Sequence, residues 1–194
     1  MLTLHQAAAF GDIERLKELL SDPSTDVNQL DDHGKTALQF ACFAQQPGAV
    51  ALLMNHPRIT FLAQAGVELK HLMKVAAITG DLQTALILLK KLEQMENFQD
   101  YIEEVKAAVG EALARPVPST TPEEIASIIG KRNCISQFVT YLASSASVNW
   151  ADFKRVLPED ERRLFKAEQR ELTDKWLEAE AFYSRDLATG IDAG

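Results

Sequence analysis

The sequence predicts an all-α fold, a helical-repeat solenoid followed by a C-terminal helical region. Three observations carry the prediction. Leu4, Ala7 and Ala8 form the apolar stripe of a short helix that runs into Gly11, and Ile13, Leu16, Leu19 and Leu20 mark a second helix directly after it. The pattern returns 34 residues later as Leu38, Ala41 and Cys42, then Val50, Leu52 and Leu53. Between the copies lies turn chemistry: Asp26-Val27-Asn28, then Asp31-Asp32-His33-Gly34 leading into Lys35-Thr36-Ala37-Leu38. A period in the low thirties, built from one turn and two helices, belongs to stacked layers that bury their apolar faces on one another.

These residues resemble the ankyrin repeat family. Leu4-His5-Gln6-Ala7-Ala8, Gly11-Asp12, Leu19-Leu20, Asp26-Val27-Asn28 and Gly34-Lys35-Thr36-Ala37-Leu38 match its inner helix, glycine break, outer helix and hairpin in order. The match is specific over residues 1–60 and weaker to 95. The resemblance implies repeats at 1–29, 30–63 and 64–95; residues 96–194, which it does not cover, read from their own patterning as a helical C-terminal region with a linker at 115–122.

In the first repeat, the small side chains of Ala7 and Ala8 let adjacent inner helices approach, and Gly11 reverses the chain in a left-handed conformation. His5 stands where the family places a histidine bonded to backbone near the hairpin, a structural role. With no hairpin ahead of them, residues 1–20 are expected to cap the stack. The second repeat departs from the family pattern: Ala37 replaces proline, Gln39 the histidine and Gln45 the break glycine. A left-handed Gln45 would cost roughly 1–2 kcal/mol, so a rearranged turn is expected there. Pro47 suits the first turn of the outer helix, and Asp31 to Gly34 form the preceding turn. A third copy, one residue longer, has Ala76-Ala77, Gly80-Asp81 and Leu88-Leu89 in the places of Ala7-Ala8, Gly11-Asp12 and Leu19-Leu20. Its preceding connection, Asn55 to Lys70, has lost the hairpin residues.

Residues 97–114 read as an amphipathic helix with Phe98, Tyr101, Ile102, Val105, Val109 and Leu113 on one stripe. The run from Arg115 to Pro122 interrupts it. Thr121, Pro122 and Glu123-Glu124 then make a strong helix start. Two helices are expected at 122–131 and 134–144, broken at Asn133, as a plain hairpin or a degenerate fourth unit. Ser147-Val148-Asn149-Trp150 begins another short helix, to about Val156. Pro158 with Glu159, Asp160 and Glu161 opens a long one to Asp186, roughly 45 Å of helix. Its apolar residues are too unevenly spaced for a heptad seam. The tail beyond Leu187 is expected to be mobile.

Composition narrows the function. A net charge of −8 and a pI near 5.0 argue against nucleic acid or an anionic membrane as partner. No signal peptide or spanning segment is visible, because charged residues interrupt the first twenty positions and the long uncharged runs are rich in Gln, Ser and Thr. Cys42 and Cys134 are far apart and lack metal-spaced partners, as expected of buried thiols in a reducing compartment. The reading is cytoplasmic.

No catalytic motif appears. His5, His33, His56 and His71 are scattered without ligand-spaced partners, and there is no phosphate loop, GxSxG or HExxH. Acidic residues sit at helix starts and on solvated faces. The chain is therefore read as a non-enzyme without cofactor or metal.

The resemblance places the informative positions on a concave face, where hairpin tips and the exposed ends of inner helices project. These are Ala9 and Phe10 in the first unit; Asp32, His33, Lys35, Phe43 and Ala44 in the second; and Ile78 and Thr79 in the third. Phe10, Phe43 and Ile78 would form a short apolar ladder that either anchors a protein partner or is covered by the chain's own C-terminal helices. The expected function is non-catalytic recognition of a protein or peptide by a monomeric adaptor. Small ankyrin proteins of this kind also look like effectors that intracellular bacteria deliver into host cytoplasm. Two rivals are an enzyme with its site near 115–122 or Trp150, and a structural subunit assembling through the long C-terminal helix.

Overall fold

Side-chain caps start the first three helices, and a left-handed turn residue follows the first and the third. In α1 (Leu4–Phe10), the Thr3 hydroxyl accepts the Gln6 N–H at 3.3 Å and the Gln6 side chain accepts the Thr3 N–H at 3.1 Å. The helix ends on Gly11 at φ +65°, and the Asp12 N–H closes back on the Ala7 carbonyl at 3.0 Å. Asp12 then caps α2 (Ile13–Ser21) by accepting the Arg15 N–H at 3.0 Å. The described residues of this computed structural model are 2–59, 65–94, 98–117, 121–144 and 150–189; among them there are ten helices and no strand.

The second copy repeats this local chemistry. Thr36 and Gln39 form the same reciprocal box at the start of α3 (Ala37–Phe43), at 3.2 and 3.0 Å, which gives Gln39 its structural role. The turn after α3 is not rearranged, contrary to expectation. Gln45 takes φ +54°, and the Gln46 N–H reaches the Ala41 carbonyl at 2.9 Å, as Asp12 reaches Ala7. The backbone strain is offset because the turn satisfies its own donors and leads into α4 (Pro47–Met54), where Ala49 to Met54 are all buried. Pro47 stands at the first helical position.

The third copy has the same joint. Gly80 has φ +70°, the Asp81 N–H bonds the Ala76 carbonyl at 2.9 Å, and Asp81 caps Thr84 at 3.1 Å. Its inner helix, α5 (Ala65–Thr79), is 15 residues long against 7 in α1 and α3, and α6 (Leu82–Glu93) follows. Residues 60–64 of the connection before α5 lie outside the described residues.

Beyond these come α7 (Phe98–Leu113), α8 (Pro122–Ser144), α9 (Trp150–Val156) and α10 (Glu159–Thr189). The expected break at Asn133 is absent: α8 is one helix of 23 residues. Asn133 is neither glycine nor proline, and the stripe of Cys134, Ile135, Phe138, Val139 and Leu142 is buried without interruption. The 122–131/134–144 hairpin, and the degenerate repeat it would make, are therefore ruled out. Residues 118–120 of the expected linker, Ser147 to Asn149, and the tail from 190 onward lie outside the described residues.

The chain divides into two compact units, Met1–Ala63 with Leu172–Gly194, and Gln64–Glu171. In the first, α1 packs on α3 and α2 on α4. The contacts ascend together: His5 meets Phe40 with ring centroids 5.6 Å apart, a Cβ on Gly11 would meet the Gln46 side chain, and one on Gly48 would lie 3.3 Å from Ile13. The two hairpins thus lie parallel, as stacked repeats require. The C-terminal part of α10 joins this unit through the Tyr183 hydroxyl, which donates to the Leu52 carbonyl at 2.6 Å.

In the second unit, α7 lies along α5 and α8 along α6. Lys70 pairs with Glu104 at 3.1 Å and Lys74 with Glu111 at 2.6 Å, so α5 and α7 also run in parallel. The α7–α8 pair is therefore laid on α5–α6 as a further two-helix layer, assembled from different residues than the sequence suggested. Phe138, Phe153 and Phe165 close the unit, with ring centroids 4.7 to 6.3 Å apart. Such pairs add about 0.5–1.5 kcal/mol beyond their buried area.

Candidate functional site

The loop before α3 is built around one carboxylate. Asp31 Oδ1 accepts the backbone N–H groups of His33 at 2.9 Å and Lys35 at 2.7 Å. The Gly34 N–H bonds the Asp31 carbonyl at 3.0 Å, with Gly34 at φ +70°. The Lys35 N–H, ahead of His33, holds the Asp31 carboxyl below the usual range, so it stays ionised. His5 ties this loop to α1: its Nε2–H donates to the carbonyls of Gln29 at 3.0 Å and Lys35 at 3.1 Å. That is the structural role the sequence predicted for His5.

Between this loop and α1 lies an open hollow of about 350 Å³. Ala9, Phe10, Leu30 and Phe40 supply its apolar wall, and Asp31 and Asp32 stand at its edge. Phe10 is 70 % exposed and Leu30 57 % exposed. Of the nine sequence-predicted residues, the structure gathers Ala9, Phe10 and Asp32 here. Lys35 and Phe43 meet separately, with the ammonium 5.8 Å from the ring centroid of a phenylalanine 43 % exposed. His33 is exposed, its ring nitrogen 3.5 Å from the Asp31 carboxylate. Ala44 is half-buried, and its N–H caps α3 on the Phe40 carbonyl at 3.0 Å.

Ile78 and Thr79 belong to the second unit, and both are half-buried. The Ile78 carbonyl accepts from Arg132, whose Nε lies 3.2 Å away, and the Thr79 hydroxyl donates to the Val75 carbonyl at 3.0 Å. Sequence reasoning missed Leu30 and Phe40. Leu30 is a lone large apolar residue in a polar hairpin, and Phe40 stands one turn before Phe43 and off the Leu38–Ala41–Cys42 stripe; both signals were present.

Of the places considered for a rival active site, the start of the linker holds structural chemistry, while residues 118–120 and the Trp150 side chain lie outside the described residues. Arg132 is buried and donates to the carbonyls of Arg115 at 2.9 Å and Pro116 at 3.3 Å, anchoring the start of the linker. The Cys134 thiol is pushed up to about 12 by burial and by the nearby carboxylates of Glu161 and Glu168, which leaves it protonated and inert. Burial also raises the Asp81 carboxyl, which serves as a helix cap. Among the described residues no group of His, Cys, Asp and Glu is placed to hold a metal ion. Among them, too, no helix is long and apolar enough to cross a membrane.

A family model described as ankyrin repeats, in three copies, matches residues 4–100, half of the chain. No solved structure matches it.

Proposed function

This chain belongs to the ankyrin repeat family, whose repeats are generally protein–protein interaction modules, and we propose that it is a non-catalytic adaptor. In this reading it takes a protein or peptide segment on the face made by the 29–35 loop and the exposed ends of α1 and α3. The observation that carries the proposal is the exposure of Phe10 and Phe43 beside a loop held from within by the Asp31 carboxylate and from α1 by His5. Exposed aromatics on a rigid support lose little entropy on binding and are the usual anchors of an interface. Asp32, His33 and Lys35 would supply polar selection at its edge. The buried thiols of Cys42 and Cys134, neither in a disulfide, fit a reducing cytoplasm.

The test is co-purification with the tagged full chain, comparing wild type with Phe10→Ala plus Phe43→Ala. The double variant should lose the partners while its melting temperature stays within a few degrees, because surface truncations typically cost about 0.5 kcal/mol or less. An unchanged partner set would overturn the proposal. So would a collapse in melting temperature, which would assign the pair to the fold.

A further inference from the structure

We infer that the hollow between α1 and the 29–35 loop takes a peptide segment in which a large apolar side chain adjoins a lysine or arginine. The inference rests on the reading of this face as a recognition surface and adds the chemistry of what it recognises. Shape supplies the first half. Phe10 and Leu30 are mostly exposed and, with Ala9 and Phe40, line about 350 Å³ of open space, room for side chains offered from another chain. Covering such a wall releases water from apolar surface at about 25 cal/mol per Å².

Charge supplies the second half. The lining holds two carboxylates, Asp31 and Asp32, and no lysine or arginine. Asp31 is fixed as an anion by the two backbone N–H groups that its carboxylate accepts, and Asp32 is exposed at the loop tip. His5, the lining imidazole, has its Nε2–H committed to two carbonyls of the loop, so it does not answer that charge. An acidic segment would meet the carboxylates of Asp31 and Asp32 on a chain of net charge −8. A lysine or arginine instead lays its methylene stem on the apolar wall and its charged head at the carboxylates.

The experiment selects a random twelve-residue peptide library, displayed on phage, on the immobilised full chain. Enriched peptides are then titrated by fluorescence anisotropy against wild type, Phe10→Ala and Asp32→Lys, with circular dichroism verifying that both variants fold. The expected consensus is Leu, Ile, Met or Phe within a few positions of Lys or Arg, with binding weakened about tenfold or more by either substitution. Added salt should weaken the wild-type complex. Peptides that respond to Phe10→Ala, yet show no basic preference and ignore Asp32→Lys, overturn this inference while leaving the proposed function standing. Peptides indifferent to Phe10→Ala, or no enrichment, overturn both. If sedimentation shows a concentration-dependent dimer that Phe10→Ala abolishes, the hollow belongs to a second copy and the peptide assignment fails.

Discussion

The imidazole of His5 and the carbonyl of Lys35 meet at 3.1 Å across thirty residues, and the same Nε2–H reaches Gln29 at 3.0 Å. One side chain on the first inner helix therefore holds both ends of the 29–35 loop. His5→Ala should lower unfolding free energy by about 1–3 kcal/mol, the cost of leaving such groups unpaired. Amide exchange at Asp31 and Lys35 should quicken more than exchange in α2. Unaltered loop protection would remove His5 from this role.

Two positions at equivalent turns should respond with opposite signs. Gly11 and Gln45 both have positive φ, at 65° and 54°. A Cβ on Gly11 would be strained at this φ and would push the tip of the Gln46 side chain aside. Gly11→Ala should therefore destabilise by roughly 1–2 kcal/mol, and Gln45→Gly should stabilise by roughly 1 kcal/mol. Urea denaturation of both variants checks the pair.

The frame of repeats was legible in sequence because its joints are chemical. Gly11, Gly80, Asp12, Asp81 and Thr36 each do a local job that the residue type announces, and His5 is read from its place in the repeat. The failures lie where local signals are neutral. Gln45 was expected to disturb its turn, but the closing hydrogen bond from Gln46 to Ala41 outweighs a modest backbone cost. Asn133 resembled a break residue by position in the repeat, yet the buried stripe from Cys134 to Leu142 decides the helix. At the candidate site, Phe10 and Phe43 could be singled out by their place in the repeat. Leu30 and Phe40 share the hollow with Phe10 only through tertiary packing.

Continuity of α8 is itself testable. In a break, Asn133→Pro would be tolerated; inside a helix it removes a hydrogen bond and clashes with the previous turn, at about 3 kcal/mol or more. We expect the larger loss, measured by chemical denaturation, together with reduced helicity in circular dichroism.

Stability should also depend on His56. Its ring is buried against Tyr183 at 5.4 Å, and its Nδ1 accepts the Arg58 N–H at 3.1 Å. Burial first, with the Arg58 charge also opposing a proton, holds its pKa below the ordinary 6.5. Above that pH the folded and unfolded chains are both neutral at this residue. Below it, the unfolded chain takes a proton that the folded chain refuses, so stability falls as pH drops from 6.5 toward the lowered value. His56→Gln should flatten the fall in stability as pH drops below about 6.5. A slope unchanged by the substitution would show that another group is responsible.

Hydrogen exchange of the full chain with and without a bound peptide tests the central claim most directly. The account predicts new protection in the 29–35 loop and at the C-terminal ends of α1 and α3, around Phe10 and Phe43. Protection confined to α7, α8, α9 or α10, with the loop unchanged, would contradict it.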